Sequence, residues 1–334
     1  MNIGTFLNAQ GNGVRIPLSA IERVRLVFPA EKIIHQSRGI NRTELLPTRY
    51  YETPSGQWAT DDPDLLRLLH NDFPFILERV AKLSRDTEFI ATATNYGSNP
   101  YYCIRRPHSE RGPVRLFHLE QEKLHEPHWG LSAFYDSDRL QLAAVQVTFD
   151  ARDQSATDSN GQKLPDDALI ITAPAVVWNR KFVGWENYVR ATYDCRHVIN
   201  LQYVNRDKYP DEFERIRAEI QRVQRLWEDR DKYVEEVLRL ANSVGYAEYA
   251  RLMIGVMSEA DNRFLLLASI KGTAEDAAAQ LIRQCPDIDA AFQIAEGGGT
   301  GIVMGTPSDW RVLGPSSYRR GRVLCCLLVE MKCV

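Results

Sequence analysis

Apolar side chains change their spacing at Pro210, and this change restricts the chain to folds that hold sheet and helix in separate stretches. Before Pro210, short segments read as strands: FIATATNY (89–96), YYCIRR (101–106), VRLFHL (114–119), LSAFY (131–135), LQLAAVQVTFD (140–150), ALIITAPAVVW (168–178) and YVRATYDCRHVINLQYV (188–204). Leu140, Leu142 and Ala144 alternate with polar or small neighbours, as do Val145, Val147 and Phe149. That is the period of a half-buried strand. After Pro210, the apolar residues are Phe213, Ile216, Ile220, Val223, Trp227, Val234, Val237 and Ala241. Gaps of three and four mark one face of a helix, with Arg230 interrupting one slot.

The helical stretch carries its own start and support signals. Pro210 suits a first helical position, and Asp211 and Glu214 place acid in the first turn. Glu228 with Lys232 and Glu235 with Arg239 are pairs four apart in the favoured order. Asn242 to Gly245 ends the run. A return helix at 246–258, with Tyr249, Leu252, Met253 and Val256, completes a predicted helical hairpin over about 211–258. The stripe from Phe213 to Val237 then either packs on the chain's own core or mates with another copy.

The rest of the chain fills in around these two blocks. Ser19 to Phe28 reads as a short helix whose mixed period also permits a strand. Residues 48–60 read as a hairpin about Pro54-Ser55-Gly56, and helices are expected from Asp61 to Leu69 and near 74–83. The C-terminal part has the order β-α-β-β-β: FLLLASI (264–270), a helix capped by Thr273, then strands at 288–295, 301–305 and 323–334. The predicted class is α+β, with a β-rich central sheet, the helical hairpin and a C-terminal β-α-β-β-β layer. Two regions suggest themselves. Residues 1–205 form a mixed N-terminal region with a central antiparallel or mixed sheet, and 206–334 hold the hairpin plus a small α/β sandwich. The sequence leaves open whether they make one continuous domain.

Charge and cysteine usage exclude several functions. Forty-one basic and 44 acidic residues in 334 give a formal charge of −3, too little for a general polyanion binder. No run of about 18 apolar residues is present, so no membrane partner is expected. The start, MNIGTFLNAQGNG, lacks the basic and apolar regions of a secretory signal. The six cysteines show no C-x-x-C, which fits a reducing cytoplasm.

Four patterns bear on chemistry. His108, His118, His125 and His128 fall close together. His118, His125 and His128 could ligate a divalent metal that activates water, although Pro127 interrupts the last pair. Tyr101, Tyr102, Arg105, Arg106, Arg111 and Arg115 interleave rings and cations, as surfaces that stack bases and hold phosphates do. Cys195 and His197 would share a face of a strand, as a thiolate–imidazole pair requires. Finally, GGGTG at 297–301 resembles the phosphate loop of tubulin-like GTPases, which implies backbone N–H groups around a phosphate. A glycine hairpin turn accounts for the same residues. No complete catalytic set emerges. The sequence therefore reads as an intracellular, non-enzymatic assembly or interaction protein that binds a protein partner or itself. The alternatives are a metal-dependent hydrolase or nuclease using the His cluster, and a nucleotide or nucleic-acid binder using the Tyr/Arg strip.

Overall fold

The computed structural model describes residues 4–8, 11–27, 50–52, 58–60, 88–94, 104–105, 116–117, 127–136, 139–150, 153, 155–192, 194–200, 207, 209–260, 262–296, 300–306, 309–313 and 325–332. The architecture is α+β. Its largest sheet has seven strands in the order β1 (Gly4–Asn8), β2 (Gly11–Pro17), β16 (Asn262–Gly272), β15 (Tyr249–Glu259), β17 (Ile288–Glu296), β13 (Ala175–Trp178) and β14 (Lys181–Phe182). A six-stranded sheet runs β11 (Ala156–Asp158), β10 (Arg139–Phe149), β9 (His128–Asp136), β12 (Leu169–Thr172), β7 (Ile104–Arg105) and β8 (Leu116–Phe117). A five-stranded sheet runs β19 (Asp309–Leu313), β18 (Ile302–Thr306), β6 (Phe89–Thr94), β20 (Cys325–Met331) and β3 (Ile21–Val27). The small hairpin pairs β4 (Tyr50–Glu52) with β5 (Trp58–Thr60).

Two cores meet on opposite faces of the seven-stranded sheet. On β15, Leu252, Ile254 and Val256 join the core shared with the two other large sheets, which includes Leu131, Leu142, Ile90, Ile302 and Leu327. The intervening Met253 and Met257 join a second core against the helices. β16 divides in the same way, with Leu265 and Leu267 on one side and Leu266, Ala268 and Ile270 on the other. A sheet covered on both faces needs apolar residues at nearly every position.

This explains the main departure from the sequence reading. The stretch 246–258, expected as a return helix, is the strand β15. Its register with β16 is unbroken from Tyr249↔Gly272 to Glu259↔Asn262. A continuous apolar run carries no period, so helix and buried strand look alike. Gly255 is required here: a Cβ would sit 2.7 Å from the Ala290 carbonyl oxygen on β17.

Among the described residues, four helices cover the second face: α1 (Trp185–Ala191), α2 (Pro210–Gln224), α3 (Arg230–Val244) and α4 (Ala274–Gln284). The helical pair is thus completed between 210 and 244. Arg230, which interrupted the apolar stripe, is the first residue of α3, and the Asp229 side chain caps that helix by accepting from the Lys232 amide. In the turn, Trp227 meets Tyr233 edge-on at 4.8 Å, and the Arg230 guanidinium lies 3.7 Å above the indole. Outside, Arg222 bonds Glu236 and Arg239 lies 3.6 Å from Glu219, joining the two helices.

Other segments differ locally. The expected strand at 188–204 takes in the end of α1 and a 3-10 turn, Cys195–His197; elements this short show no periodicity. The expected helix at 19–28 is a 3-10 turn, Leu18–Ala20, followed by β3. The stretch 168–178 divides into β12 and β13, in different sheets. The helices expected within 61–83 lie outside the described residues. The C-terminal order is present with β19 added, but β16 and β17 belong to the seven-stranded sheet while β18 to β20 belong to the five-stranded one.

The apolar stripe is packed on the chain itself. Ile216, Ile220, Val223, Trp227, Val234 and Val237 are all buried in the helix-side core, and Phe213 is half-buried. Ile220→Ala should lower unfolding free energy by about 2–4 kcal/mol, as large-to-small core changes do. Gly255→Ala should cost about 1–3 kcal/mol through overpacking against β17. Urea denaturation with an unchanged slope would measure both; a neutral Gly255→Ala would contradict the close strand approach.

Candidate functional site

The polar groups that the two cores exclude collect at one end of the seven-stranded sheet, on its helix side, where β15 begins and β17 ends. Arg251, the third residue of β15, is 0% exposed and precedes an apolar run. A buried cation is tolerated only when its donors are met. Its Nε donates to the Gly272 carbonyl at 3.2 Å and one terminal nitrogen to the Ala247 carbonyl at 2.9 Å. The other terminal nitrogen faces Tyr188 Oη at 2.8 Å, Tyr249 Oη at 2.7 Å and Gln293 Oε1 at 2.7 Å. The guanidinium also lies 3.9 Å over the Tyr249 ring. Burial pushes both tyrosines above their ordinary value, so both stay neutral donors and acceptors.

Outward from Arg251, the network reaches three further titratable groups. Gln293 Nε2 donates to Glu296 Oε2 at 3.0 Å, and Glu296 is the register partner of Arg251 across the two strands. Glu296 Oε1 lies 2.7 Å from His197 Nδ1. On the far side of the ring, His197 Nε2 lies 3.9 Å from Asp194 Oδ2. The side chains of His197, Glu296 and Asp194 are 29%, 18% and 13% exposed, so the imidazole meets solvent while the acids stay largely covered.

The turn that carries His197 is fixed on several sides. Asp194 Oδ1 accepts from the Arg196 amide at 2.9 Å, and its carboxylate is gripped by the Arg196 guanidinium. The Cys195 amide donates to Gln224 Oε1 at 3.0 Å, tying the turn to α2. The Tyr249 hydroxyl donates to the His197 carbonyl at 2.8 Å. The Ala247 amide donates to the Val198 carbonyl at 2.7 Å.

The electrostatics follow from this packing. Burial alone would lower the His197 pKa, but the charge and hydrogen bond of Glu296, with Asp194 behind, outweigh it and raise the imidazole above 6.5. For Asp194, burial works upward, and the Arg196 hydrogen bond with the His197 charge carries the carboxyl below its ordinary value. The result is a half-exposed imidazole set between two carboxylates, over a buried cation.

The residues singled out in the sequence fare unevenly. Cys195 and His197 do not form a nucleophilic pair. Cys195 is buried, burial pushes its thiol to about 12, and its Sγ lies 3.6 Å from the Ile220 carbonyl oxygen. A thiol so protonated is not a nucleophile. His118 and His125 lie outside the described residues. His128 begins β9, opposite Val147, with its ring 6.0 Å from that of Phe149. Among the described residues, no three His, Cys, Asp or Glu side chains are grouped to hold a metal. Tyr101, Tyr102, Arg106, Arg111 and Arg115 also lie outside, and Arg105 sits on β7, paired with Ile170 and Leu116. Of the glycine string, residues 297–299 lie outside the described residues and Thr300 is buried; Glu296, just before it, ends β17. No described helix is long and apolar enough to cross a membrane. Arg251 is the signal that the sequence reading passed over: a lone cation inside ARLMIGVMS.

No protein-family model and no curated protein matches the chain. Among solved structures, it is similar to the zebrafish N-acetylglucosamine-1-phosphodiester alpha-N-acetylglucosaminidase catalytic domain auto-inhibited by pro-peptide. That match has 10% identity and a TM-score of 0.43, over 99% of this chain and 82% of the other. A second similar structure is a hypothetical protein from Synechocystis, at 10% identity and a TM-score of 0.39, over 98% of this chain and 61% of the other. At these scores neither likeness assigns a fold or an activity.

The raised His197 pKa has a signed consequence for stability. A histidine whose folded value exceeds its unfolded 6.5 stabilises fully below that value, and the contribution is lost as pH rises through the folded value. The melting-temperature gap between wild type and Glu296→Gln should therefore shrink between pH 6 and pH 9. A gap that stays constant or widens would exclude the ion pair.

Proposed function

We propose that this chain is an acid–base enzyme acting on a small polar substrate, with His197 as the proton carrier. The observation that supports this reading is the placement of His197, reachable from solvent, with Glu296 at one ring nitrogen and Asp194 beyond the other. Proton transfer in a transition state needs a group near neutral pKa whose orientation is fixed. Glu296 supplies the orientation and steadies the imidazolium. Asp194, held by Arg196, adds negative potential without occupying Nε2. Perturbed titratable groups meeting at one partly open position are the usual mark of such a site.

The reading differs in residues from the histidine-cluster metal site, which rests on sequence alone. A protein-assembly role would need a surface other than the α2–α3 stripe, which the chain covers itself. Nucleotide or nucleic-acid contact through the Tyr/Arg strip likewise rests on sequence alone.

The test is turnover of a panel of p-nitrophenyl carboxylate esters, phosphate mono- and diesters and glycosides, across pH. His197→Gln should lower kcat/KM at least about 100-fold while the melting temperature moves little. Turnover within threefold of wild type in His197→Gln, or no turnover of any panel member by wild type, would sink the assignment.

A further inference from the structure

The hydrogen bonds around Arg251 have only one consistent direction, and it ends on the His197 ring. A guanidinium donates and never accepts. Gln293 Oε1 receives from Arg251 at 2.7 Å and from the Tyr188 hydroxyl at 2.9 Å, so the amide must face Glu296 with its nitrogen. That nitrogen donates to Glu296 Oε2 at 3.0 Å. An ionised Glu296 only accepts, so the atom 2.7 Å from its Oε1, His197 Nδ1, carries a hydrogen. Along the second branch, Tyr249 Oη accepts from Arg251 and so turns its own hydrogen to the His197 carbonyl. The two branches close a ring: Arg251, Gln293, Glu296, His197 and Tyr249.

We propose that Arg251 fixes the tautomer of His197, keeping the hydrogen on Nδ1 and leaving Nε2 as the atom that exchanges a proton with substrate. The second half of this statement rests on the acid–base reading above. Arg251 is a positioning residue: it acts only through Gln293, Glu296 and Tyr249. The charged and titratable groups facing the ring are Glu296 at Nδ1, Asp194 near Nε2, Arg196 on the same turn, and Tyr249, whose ring centroid lies 6.3 Å away. Asp194 does not compete for Nε2, because both its oxygens already accept from Arg196 and the gap is 3.9 Å. Histidine free in water prefers its hydrogen on Nε2, so the proposed tautomer is a departure that the surroundings must impose.

The experiment is long-range ¹H–¹⁵N correlation NMR on the full chain labelled at histidine, at a pH above the imidazole pKa, before and after substitution. Wild type should show the hydrogen of His197 on Nδ1. Arg251→Met and Gln293→Met should lose that single tautomer, and Arg251→Lys, which keeps a donor-only cation, should recover it. On an active panel substrate, Gln293→Met should drop kcat at least about tenfold and leave KM within twofold. If Arg251→Met fails to fold by circular dichroism, Gln293→Met decides the matter alone. Hydrogen on Nε2 in wild type, or an unchanged tautomer in folded Gln293→Met, would overturn the proposal. The NMR readout needs no substrate. A wild-type Nδ1 hydrogen beside a fully active His197→Gln would therefore remove the acid–base reading and leave the tautomer assignment standing.

Discussion

A sheet buried on both faces leaves nowhere for a polar side chain except its ends, and that restriction organises this molecule. β15, β16 and β17 carry apolar residues into two cores at once. A large polar or charged side chain on these strands sits near their termini or must bring its partners inside. Arg251 takes the second course. All three of its nitrogens find acceptors, among two main-chain carbonyls, two tyrosines and a glutamine. Leaving a buried donor without its partner costs about 1–3 kcal/mol, and more when it is charged, so the surrounding side chains are held in place by the same requirement. The result is a rigid polar floor beneath a half-open imidazole.

The fold class was legible because its two periods are physically distinct. Segments with one solvated face alternate, and β10 was located within a residue or so for that reason. The α2–α3 stripe was legible because a helix packed on one side keeps its other side charged. What could not be read was the strand covered twice. In ARLMIGVMS, double burial erases the alternation, and Tyr249, Leu252, Met253 and Val256 fall by chance at helical intervals. The same ambiguity hid the end of the first helix, where Arg230 marked a new start and was read as an interruption.

The candidate site was legible only in fragments. Cys195 and His197 stand two apart in the sequence, and Glu296 directly precedes the glycine string. Nothing in the sequence brings His197 to Glu296, because their meeting depends on the Cys195–His197 turn lying beside β15 and on β15 pairing with β17. Arg251 was the one local clue. An arginine inside an apolar run has to be fed with acceptors, and acceptors that rigid are seldom spent on packing alone.

The order of strands in the large sheet also bears on how the chain is made. β2 hydrogen-bonds β16 from Gly11↔Ile270 to Pro17↔Phe264, so two strands far apart in the sequence complete each other. At ribosomal rates of about 5–20 residues per second, β1 and β2 wait on the order of ten to fifty seconds for their neighbour. Through that interval the β2 edge, with Val14 and Ile16 destined for complete burial, has no partner strand on the side β16 will occupy. The hairpin of β15 and β16, zipped locally through eleven register pairs, can form at once and then present its free edge to β2. Long-range closure of the sheet thus leaves an unpaired strand edge open to unwanted pairing until β16 is made.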